Sequence, residues 1–225
     1  MMLTPITRSD LPTQLEAMAA FLPGGSLARK VFDHIAATRR LVHDEDLALS
    51  QDPVHHRAAV ALVRAFHMGV VDAPPTEGFT WDGQAVWVQM EPSVIIHDVA
   101  HYQLCAPERR GVWDFGLGAG PETGRRAEAD AVMSVFGPAR ELEESLTSLL
   151  GILWEARLGQ PAILAFVEQN WLEGAQRPHH AAYFVRVVEH LAAFGFISPE
   201  GWPRTTLRHD DDDNFLGPML QAEAA

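Results

Sequence analysis

His97 and His101 stand four residues apart in an apolar stretch of the sequence. In an α-helix residues four apart lie on one face, so both imidazoles can reach one point in space. The pattern His-Asp-x-x-His differs by one methylene group from the His-Glu-x-x-His motif in which two histidines bind zinc. The spacing therefore predicts a metal site, although such a pair also arises by chance in a chain with 11 histidines.

The residues after the histidine pair carry a second pattern. Tyr102 follows His101 directly, and Arg109, Arg110 and the run Asp114 to Gly116 come next. This segment resembles the core of the bacterial elongation factor P hydroxylase family, which has two histidines four apart, an aromatic residue, a double arginine and a DFG at similar spacing. The resemblance implies a hydroxylase that acts on a modified lysine of a protein partner.

A metal held by two histidines needs a further protein ligand, and a helix predicted over residues 140–158 offers carboxylates. Acidic and small residues recur on one of its faces at helical spacing: Glu141, Glu144, Ser148, Gly151 and Glu155. A glycine in mid-helix costs about 1 kcal/mol relative to alanine, a cost usually found where another backbone comes close. The spacing of Glu141 and Glu144 is similar to an acidic pair of the hydroxylase family, and the resemblance places the ligand at Glu144. Glu143 and Glu141 stay open as alternatives, and so does a solvated acidic face without metal.

Asp98, Arg109, Arg110 and Asp114 are the candidate catalytic residues around this metal. Asp98 stands where zinc peptidases have the glutamate that acts as general base, but its side chain is shorter by one methylene group. This difference favours an iron hydroxylase, which needs no base there, and Asp98 would then orient a ligand or Arg109. The two arginines either bind an anionic or carbonyl group of a substrate or pair with structural carboxylates, Asp114 being the nearest in sequence.

Two histidines and one carboxylate form the triad of non-haem iron oxygenases. With His97, His101 and Glu144 as ligands, we expect a hydroxylase or monooxygenase with Fe(II) as cofactor and zinc as the alternative. The expected substrate is an elongation factor P-like protein or a small molecule, because Asp98 and Leu117-Gly118 depart from the family's pattern. A zinc hydrolase of gluzincin type and a noncatalytic helical metal-binding protein are the competing hypotheses.

The elements that must position these residues are predicted to be mainly helical, with a small β component. The stretch from Ala85 to Met90 is the best strand candidate and leads into the histidine helix, which Pro92 and Ser93 can start. Apolar residues around most of this helix predict that it is buried against the glutamate-bearing helix. His179 and His180 lie near the start of a later helix and are expected to stay away from the metal.

Length, composition and charge bound the class of protein. The 225 residues, 47% hydrophobic and 21% charged, are typical of one globular domain, and no apolar run is long enough for a membrane helix. A net charge of −13 argues against binding to nucleic acid. The single cysteine, Cys105, and an N-terminus without a secretory signal favour a cytoplasmic location. Residues 1–208 are predicted to form the metal-binding domain, and residues 209–225, with the run Asp210 to Asp213, an acidic mobile tail.

Overall fold

We describe the fold from a computed structural model, which covers residues 6–43, 47–209 and 215–223. In chain order the helices are α1 (Leu11–Ala19), α2 (Leu27–Ala37), α3 (Pro53–Ala65), α4 (Pro92–Leu104), α5 (Arg126–Ala131), α6 (Gly137–Arg157), α7 (Ile163–Glu168), α8 (Pro178–Ala193) and α9 (Gly217–Glu223). The strands are β1 (Gly69–Val71) and β2 (Ala85–Trp87). The prediction of a mainly helical single domain with a small β component is confirmed.

Helices α4 and α6 pack against each other at the centre of the domain. Both helices are rich in fully buried apolar residues, which include Ile95, Ile96, Val99, Ala100, Leu146, Leu149, Leu150 and Leu153. A Cβ atom added to Gly151 on α6 would lie 3.4 Å from the Cα atom of His97 on α4. The backbone of α4 therefore lies within van der Waals contact of a Cβ atom at this position, and the histidine face of α4 lies beside the acidic face of α6.

Local sequence signals explain where the helices begin. The Ser26 hydroxyl accepts a hydrogen bond from the backbone N–H of Arg29 at 3.1 Å and caps α2. The Asp52 carboxylate does the same for Val54 at 2.7 Å, ahead of the proline that opens α3. Helix α4 starts at Pro92, as predicted, so its register and the position of the histidine pair follow from the sequence.

The strand prediction is confirmed over half of its length. Strand β2 covers Ala85–Trp87 and ends before the predicted Met90. It pairs in parallel with β1, and Gly69 lies opposite Ala85. A parallel pair of three residues adds little burial of its own. Its effect is to connect the end of α3 to the segment that enters α4.

The C-terminal segment differs from the prediction of a mobile tail. Phe215 and Leu216 are fully buried, and Met219 on α9 is nearly so. The Phe215 ring lies 4.4 Å from the guanidinium carbon of Arg208 and also contacts aromatic residues of the core. The prediction is therefore wrong for residues 215–223, because burial of these apolar side chains stabilises the segment in place. The run Asp210 to Asp213 lies outside the described residues.

Within the described ranges, none of the helices combines the length and the apolar character needed to cross a lipid bilayer.

Candidate metal centre

The side chains of His97 and His101 on α4 meet Glu144 on α6. One carboxylate oxygen of Glu144, Oε2, lies 3.6 Å from Nε2 of His97 and 3.5 Å from Nε2 of His101. Two atoms bound to the same divalent ion at about 2.1 Å stand roughly 3.0–3.4 Å apart, so the carboxylate oxygen is near ligand spacing from both imidazoles. The candidate ligand atoms of the three residues all lie within 4.8 Å of one another, so binding one ion would draw them closer together. The ligand group predicted from the sequence is present as a candidate metal-binding group. We call these three residues the triad.

The ionisation states of the triad suit a cation. Burial lowers the pKa of His101 to about 3, although the Glu144 carboxylate opposes this shift. His101 is therefore neutral near pH 7 and keeps a lone pair for a metal. Burial also disfavours the charged form of Glu144, but His101, His97 and the charge of Arg140 outweigh it and hold its pKa below the ordinary value. The carboxylate is therefore ionised.

Aromatic stacking orients the buried histidine. The His101 ring stacks on Phe115 with ring centres 5.3 Å apart, and Phe115 stacks on Trp81 at the same separation. The edge of His97 meets the His101 ring at 4.6 Å. Among the residues that the structure describes, Nδ1 of both histidines is buried without a hydrogen-bond partner. Ring packing, rather than an acceptor for Nδ1, therefore fixes the His101 orientation.

The turn that presents Phe115 has an unusual backbone. Asp114 and Phe115 have φ angles of 43° and 56°, a left-handed conformation that is uncommon outside glycine. The Asp114 carboxylate accepts hydrogen bonds from the hydroxyls of Thr80 and Thr123 and from the backbone N–H of Trp81. These bonds hold the strained turn in place. Asp114 thus supports the stack on His101, and a catalytic role for it stays a prediction.

Two cavities border the triad. The outer cleft, of about 480 Å³, is lined by His97 and Glu144 together with residues that include Leu49, Glu168, Asn170, Trp171, His180 and Tyr183. The inner chamber, of about 150 Å³, is lined by all three residues of the triad and by others that include Asp98, Asp114, Glu122 and Arg140. Because His97 and Glu144 line both cavities, a metal bound by the triad would lie between them.

Asp98 is buried and lines the inner chamber. Burial, reinforced by the nearby acidic side chains of Asp114 and Glu122, raises the pKa of Asp98 well above its ordinary value. Its Oδ2 atom has no hydrogen-bond partner among the described residues. Burial disfavours the charged form that a general base needs, and the side chain is short, so these surroundings fit a positioning role for Asp98 better than the role of the peptidase glutamate. That role stays a prediction.

The two arginines lie in structural contacts. The Arg109 guanidinium is buried and donates to the Glu143 carboxylate at 2.5 Å and to the carbonyl of Phe115 at 2.8 Å. Arg110 donates to the carbonyls of Tyr102 and Arg208. Neither arginine lines the outer cleft or the inner chamber. The partner of Arg109 is Glu143 rather than Asp114, and a substrate role for either arginine stays a prediction.

The three candidate glutamates of α6 have different surroundings. Glu143 is fully buried against Arg109, with Arg208 3.9 Å away, while Glu141 is exposed. Among the described residues, Glu144 is the glutamate that the two histidines meet. The structure therefore favours Glu144 over both alternatives.

Sequence reasoning missed two residues that line the cavities next to the triad. His180 is not in the candidate metal-binding group, in line with the expectation that it stays away from the metal, but it lines the outer cleft, where a ring nitrogen, Nε2, lies 3.1 Å from the carbonyl oxygen of Trp171. The turn that brings these two together is a long-range feature that helical spacing does not reveal. Arg140 lines the inner chamber and precedes Glu144 by one helical turn. That spacing of four residues was a usable signal, because it places both side chains on one face of α6.

We compared the chain with protein-family models, curated proteins and solved structures, and none of the three comparisons gave a match. The resemblance to elongation factor P hydroxylases therefore stays a prediction that rests on the residues around the histidine pair. We infer the function from the chemistry of the triad and its two cavities.

Proposed function

We propose that this protein is a non-haem iron hydroxylase that binds Fe(II) at His97, His101 and Glu144. The observation that carries the proposal is that the triad borders two cavities, so an ion held by these ligands would have coordination positions facing open space. Two histidines and one carboxylate with open positions are typical of iron oxygenases. When bound, Fe(II) supplies the reaction with dioxygen.

The outer cleft is the proposed substrate site. Its volume of about 480 Å³ lies in the range of small-molecule pockets. Trp171 and Tyr183 stack in its wall with ring centres 6.3 Å apart, and the indole N–H of Trp171 donates to the Ser148 hydroxyl at 2.7 Å. These rings would pack on the apolar part of a substrate, and Asn170 and Glu168 would bind its polar end. A protein side chain, such as the modified lysine implied by the resemblance, or a small molecule fits this description.

A zinc hydrolase is the competing proposal, and the surroundings of Asp98 argue against it. A hydrolase of this type needs an ionised carboxylate that takes a proton from water. Burial disfavours the charged form of the Asp98 carboxyl and raises its pKa well above the ordinary value, and its side chain is shorter than the glutamate of the peptidases by one methylene group. A hydroxylase does not need a base at this position, so the same surroundings are compatible with it.

The test is turnover under labelled dioxygen in the presence of a reductant. In the reaction a substrate C–H becomes C–OH; the other oxygen atom leaves as water with two protons and two electrons from the reductant. We expect one labelled oxygen atom in the product, detected by mass spectrometry, with lysine-modified elongation factor P and small amines as first substrates. Glu144→Gln should be inactive, while Glu141→Gln, the same change at an exposed position of the same helix, should remain active.

A second variant separates hydroxylase from hydrolase. Asp98→Asn should lower the rate of hydroxylation only about 10- to 100-fold, which is the usual cost of losing a residue that orients a metal ligand. Asp98→Glu should not raise the rate of a hydroxylase. Turnover that proceeds equally well without oxygen and improves in Asp98→Glu would establish the hydrolase instead.

A further inference from the structure

Arg109, the first residue of the double arginine, is nearly fully buried and links two parts of the molecule. One terminal nitrogen of its guanidinium, Nη2, donates to the Glu143 carboxylate on α6. The other, Nη1, donates to the backbone carbonyl of Phe115 at 2.8 Å. The ion pair with Glu143 explains why the charge is buried, since buried charges in proteins are normally paired. The bond to Phe115 is a separate contact, and it reaches the turn next to the triad.

The turn at Asp114 and Phe115 depends on contacts of this kind. Both residues have positive φ angles, a conformation that persists outside glycine where surrounding groups hold the backbone in place. On one side of the turn, the Asp114 carboxylate accepts three hydrogen bonds. Among the described residues, no backbone N–H donates to the Phe115 carbonyl, which the Arg109 guanidinium bonds instead. Arg109 therefore holds the side of the turn that Asp114 does not hold.

The Phe115 ring contacts the candidate ligand His101. The two rings stack with their centres 5.3 Å apart and their planes 23° apart, and the Trp81 ring stacks on Phe115 as well. A metal-binding histidine is usually oriented by an acceptor for its second ring nitrogen. Among the described residues, Nδ1 of His101 has no such acceptor. The orientation of His101 therefore depends on the Phe115 ring, and the position of that ring depends on the turn.

We propose that Arg109 is a positioning residue of the metal centre, which holds the Phe115 ring against His101 through its bond to the Phe115 carbonyl. Arg109 lines neither cavity, so it acts through Phe115 rather than by contact with a substrate. The inference deepens the proposed function and rests on it, because the orientation of His101 matters only if the triad binds a metal. A purely structural Arg109 would neutralise Glu143 and affect stability alone.

Two variants separate the two bonds of the guanidinium. Glu143→Gln removes the anion and leaves the bond to Phe115 in place, whereas the double variant, Arg109→Met with Glu143→Gln, removes that bond as well. The full-length proteins are titrated with Co(II), whose visible spectrum reports the geometry of its ligands. We expect the double variant to bind Co(II) about tenfold more weakly than Glu143→Gln, the lower end of the cost of losing an outer partner of a ligand, and with a changed spectrum. Phe115→Leu, which removes the stacked ring directly, should have the same two effects.

Arg109→Lys is the conservative variant. Its ammonium group keeps a positive charge beside Glu143 but lacks the planar fork that serves two acceptors at once. We expect its Co(II) affinity to lie between that of the wild type and that of the double variant. A circular dichroism melt establishes which variants are folded. If the double variant does not fold, the comparison of Arg109→Lys with the wild type decides.

The outcomes separate the inference from the proposed function. Co(II) affinity and spectrum in the double variant equal to those of Glu143→Gln would overturn the inference and leave the proposed function standing, and so would wild-type values in Phe115→Leu. Where the double variant does not fold, wild-type values in Arg109→Lys have the same meaning. A wild-type protein that takes up no Co(II) would overturn the proposed function and the inference with it.

Discussion

Glu143 and Glu144 are neighbours in sequence and have opposite surroundings. Glu143 is fully buried, and its carboxylate accepts a hydrogen bond from Arg109 and lies 3.9 Å from Arg208. Glu144 is 39% exposed and meets two histidines at the border of two cavities. Successive residues of a helix are about 100° apart, so one carboxylate faces the interior and the next faces the cavities.

The comparison separates a structural ion pair from a candidate metal ligand. The Glu143 carboxylate already has cationic partners, so it has little capacity for a further cation. The partners of Glu144 are imidazoles, and the buried one, His101, is neutral near pH 7 because burial lowers its pKa to about 3. An ionised carboxylate beside the neutral imidazole of His101 can bind a metal ion. The same residue type therefore forms a buried ion pair at position 143 and is a candidate metal ligand at position 144.

The largest expected effect is on stability at the buried site. Glu143→Gln should lower the free energy of unfolding by about 3–5 kcal/mol, because it leaves the Arg109 guanidinium buried without its anion. The folded fraction should still bind metal. Urea denaturation gives the first quantity, and metal titration of the folded protein gives the second. A variant as stable as the wild type would show that the buried ion pair contributes nothing to the fold.

The next effect is on metal affinity at the exposed site. Glu144→Gln should weaken Co(II) or Fe(II) binding by more than about 100-fold, since losing even an outer partner of a ligand costs about 10- to 100-fold. His97→Ala and His101→Ala should abolish binding at micromolar free metal. The metal-free Glu144→Gln variant should have a melting temperature close to that of the metal-free wild type, because this side chain is partly exposed. Equal and mild losses of metal affinity in Glu143→Gln and Glu144→Gln would show that the acidic face of α6 is solvated and does not bind the metal.

A third prediction concerns the stability of the protein at acidic pH and the buried histidine His190. Burial lowers the pKa of His190 from 6.5 to about 4, so the unfolded chain binds a proton between these values that the folded protein does not. This histidine therefore leaves the free energy of unfolding unchanged above pH 6.5 and lowers it as the pH falls towards 4. The loss is about 2 kcal/mol at pH 5. His190→Phe should flatten the dependence of unfolding free energy on pH. His179→Phe, at an exposed position of the same helix, should leave it unchanged; equal slopes in both variants would contradict the prediction.

The smallest effect concerns the contact between α4 and α6. A Cβ atom at position 151 would lie 3.4 Å from the Cα atom of His97, an ordinary contact distance. Gly151→Ala should therefore fit and stabilise the protein by up to about 1 kcal/mol through helix propensity, with unchanged metal affinity. Gly151→Leu should separate the two helices and weaken metal binding. Thermal melts and metal titration measure both, and unchanged metal binding in the leucine variant would show that the triad does not depend on this contact.

The sequence predicted the parts of the site that depend on local periodicity. The positions of His97 and His101 on one helical face, and the acidic face of another helix that holds Glu144, follow from the period of the α-helix. The choice of Glu144 within that face rests on the family resemblance, and the approach at Gly151 on the cost of a glycine in mid-helix. The partners of Glu143 do not, because Arg109 and Arg208 come from distant segments that tertiary packing brings together. The left-handed conformation of Asp114 and Phe115, which orients His101, has no local signal of its own, since neither residue is glycine. The same applies to the burial of Phe215, which depends on contacts with Arg208 and the aromatic core.

The central claim is that His97, His101 and Glu144 bind one metal ion. The most direct measurement is an anomalous difference map, recorded above the iron absorption edge, from crystals of the protein loaded with Fe(II) under anaerobic conditions. We expect one strong peak at about 2.0–2.2 Å from Nε2 of His97, Nε2 of His101 and a carboxylate oxygen of Glu144. No peak at these residues at saturating iron, or a peak held by other side chains, would contradict the claim.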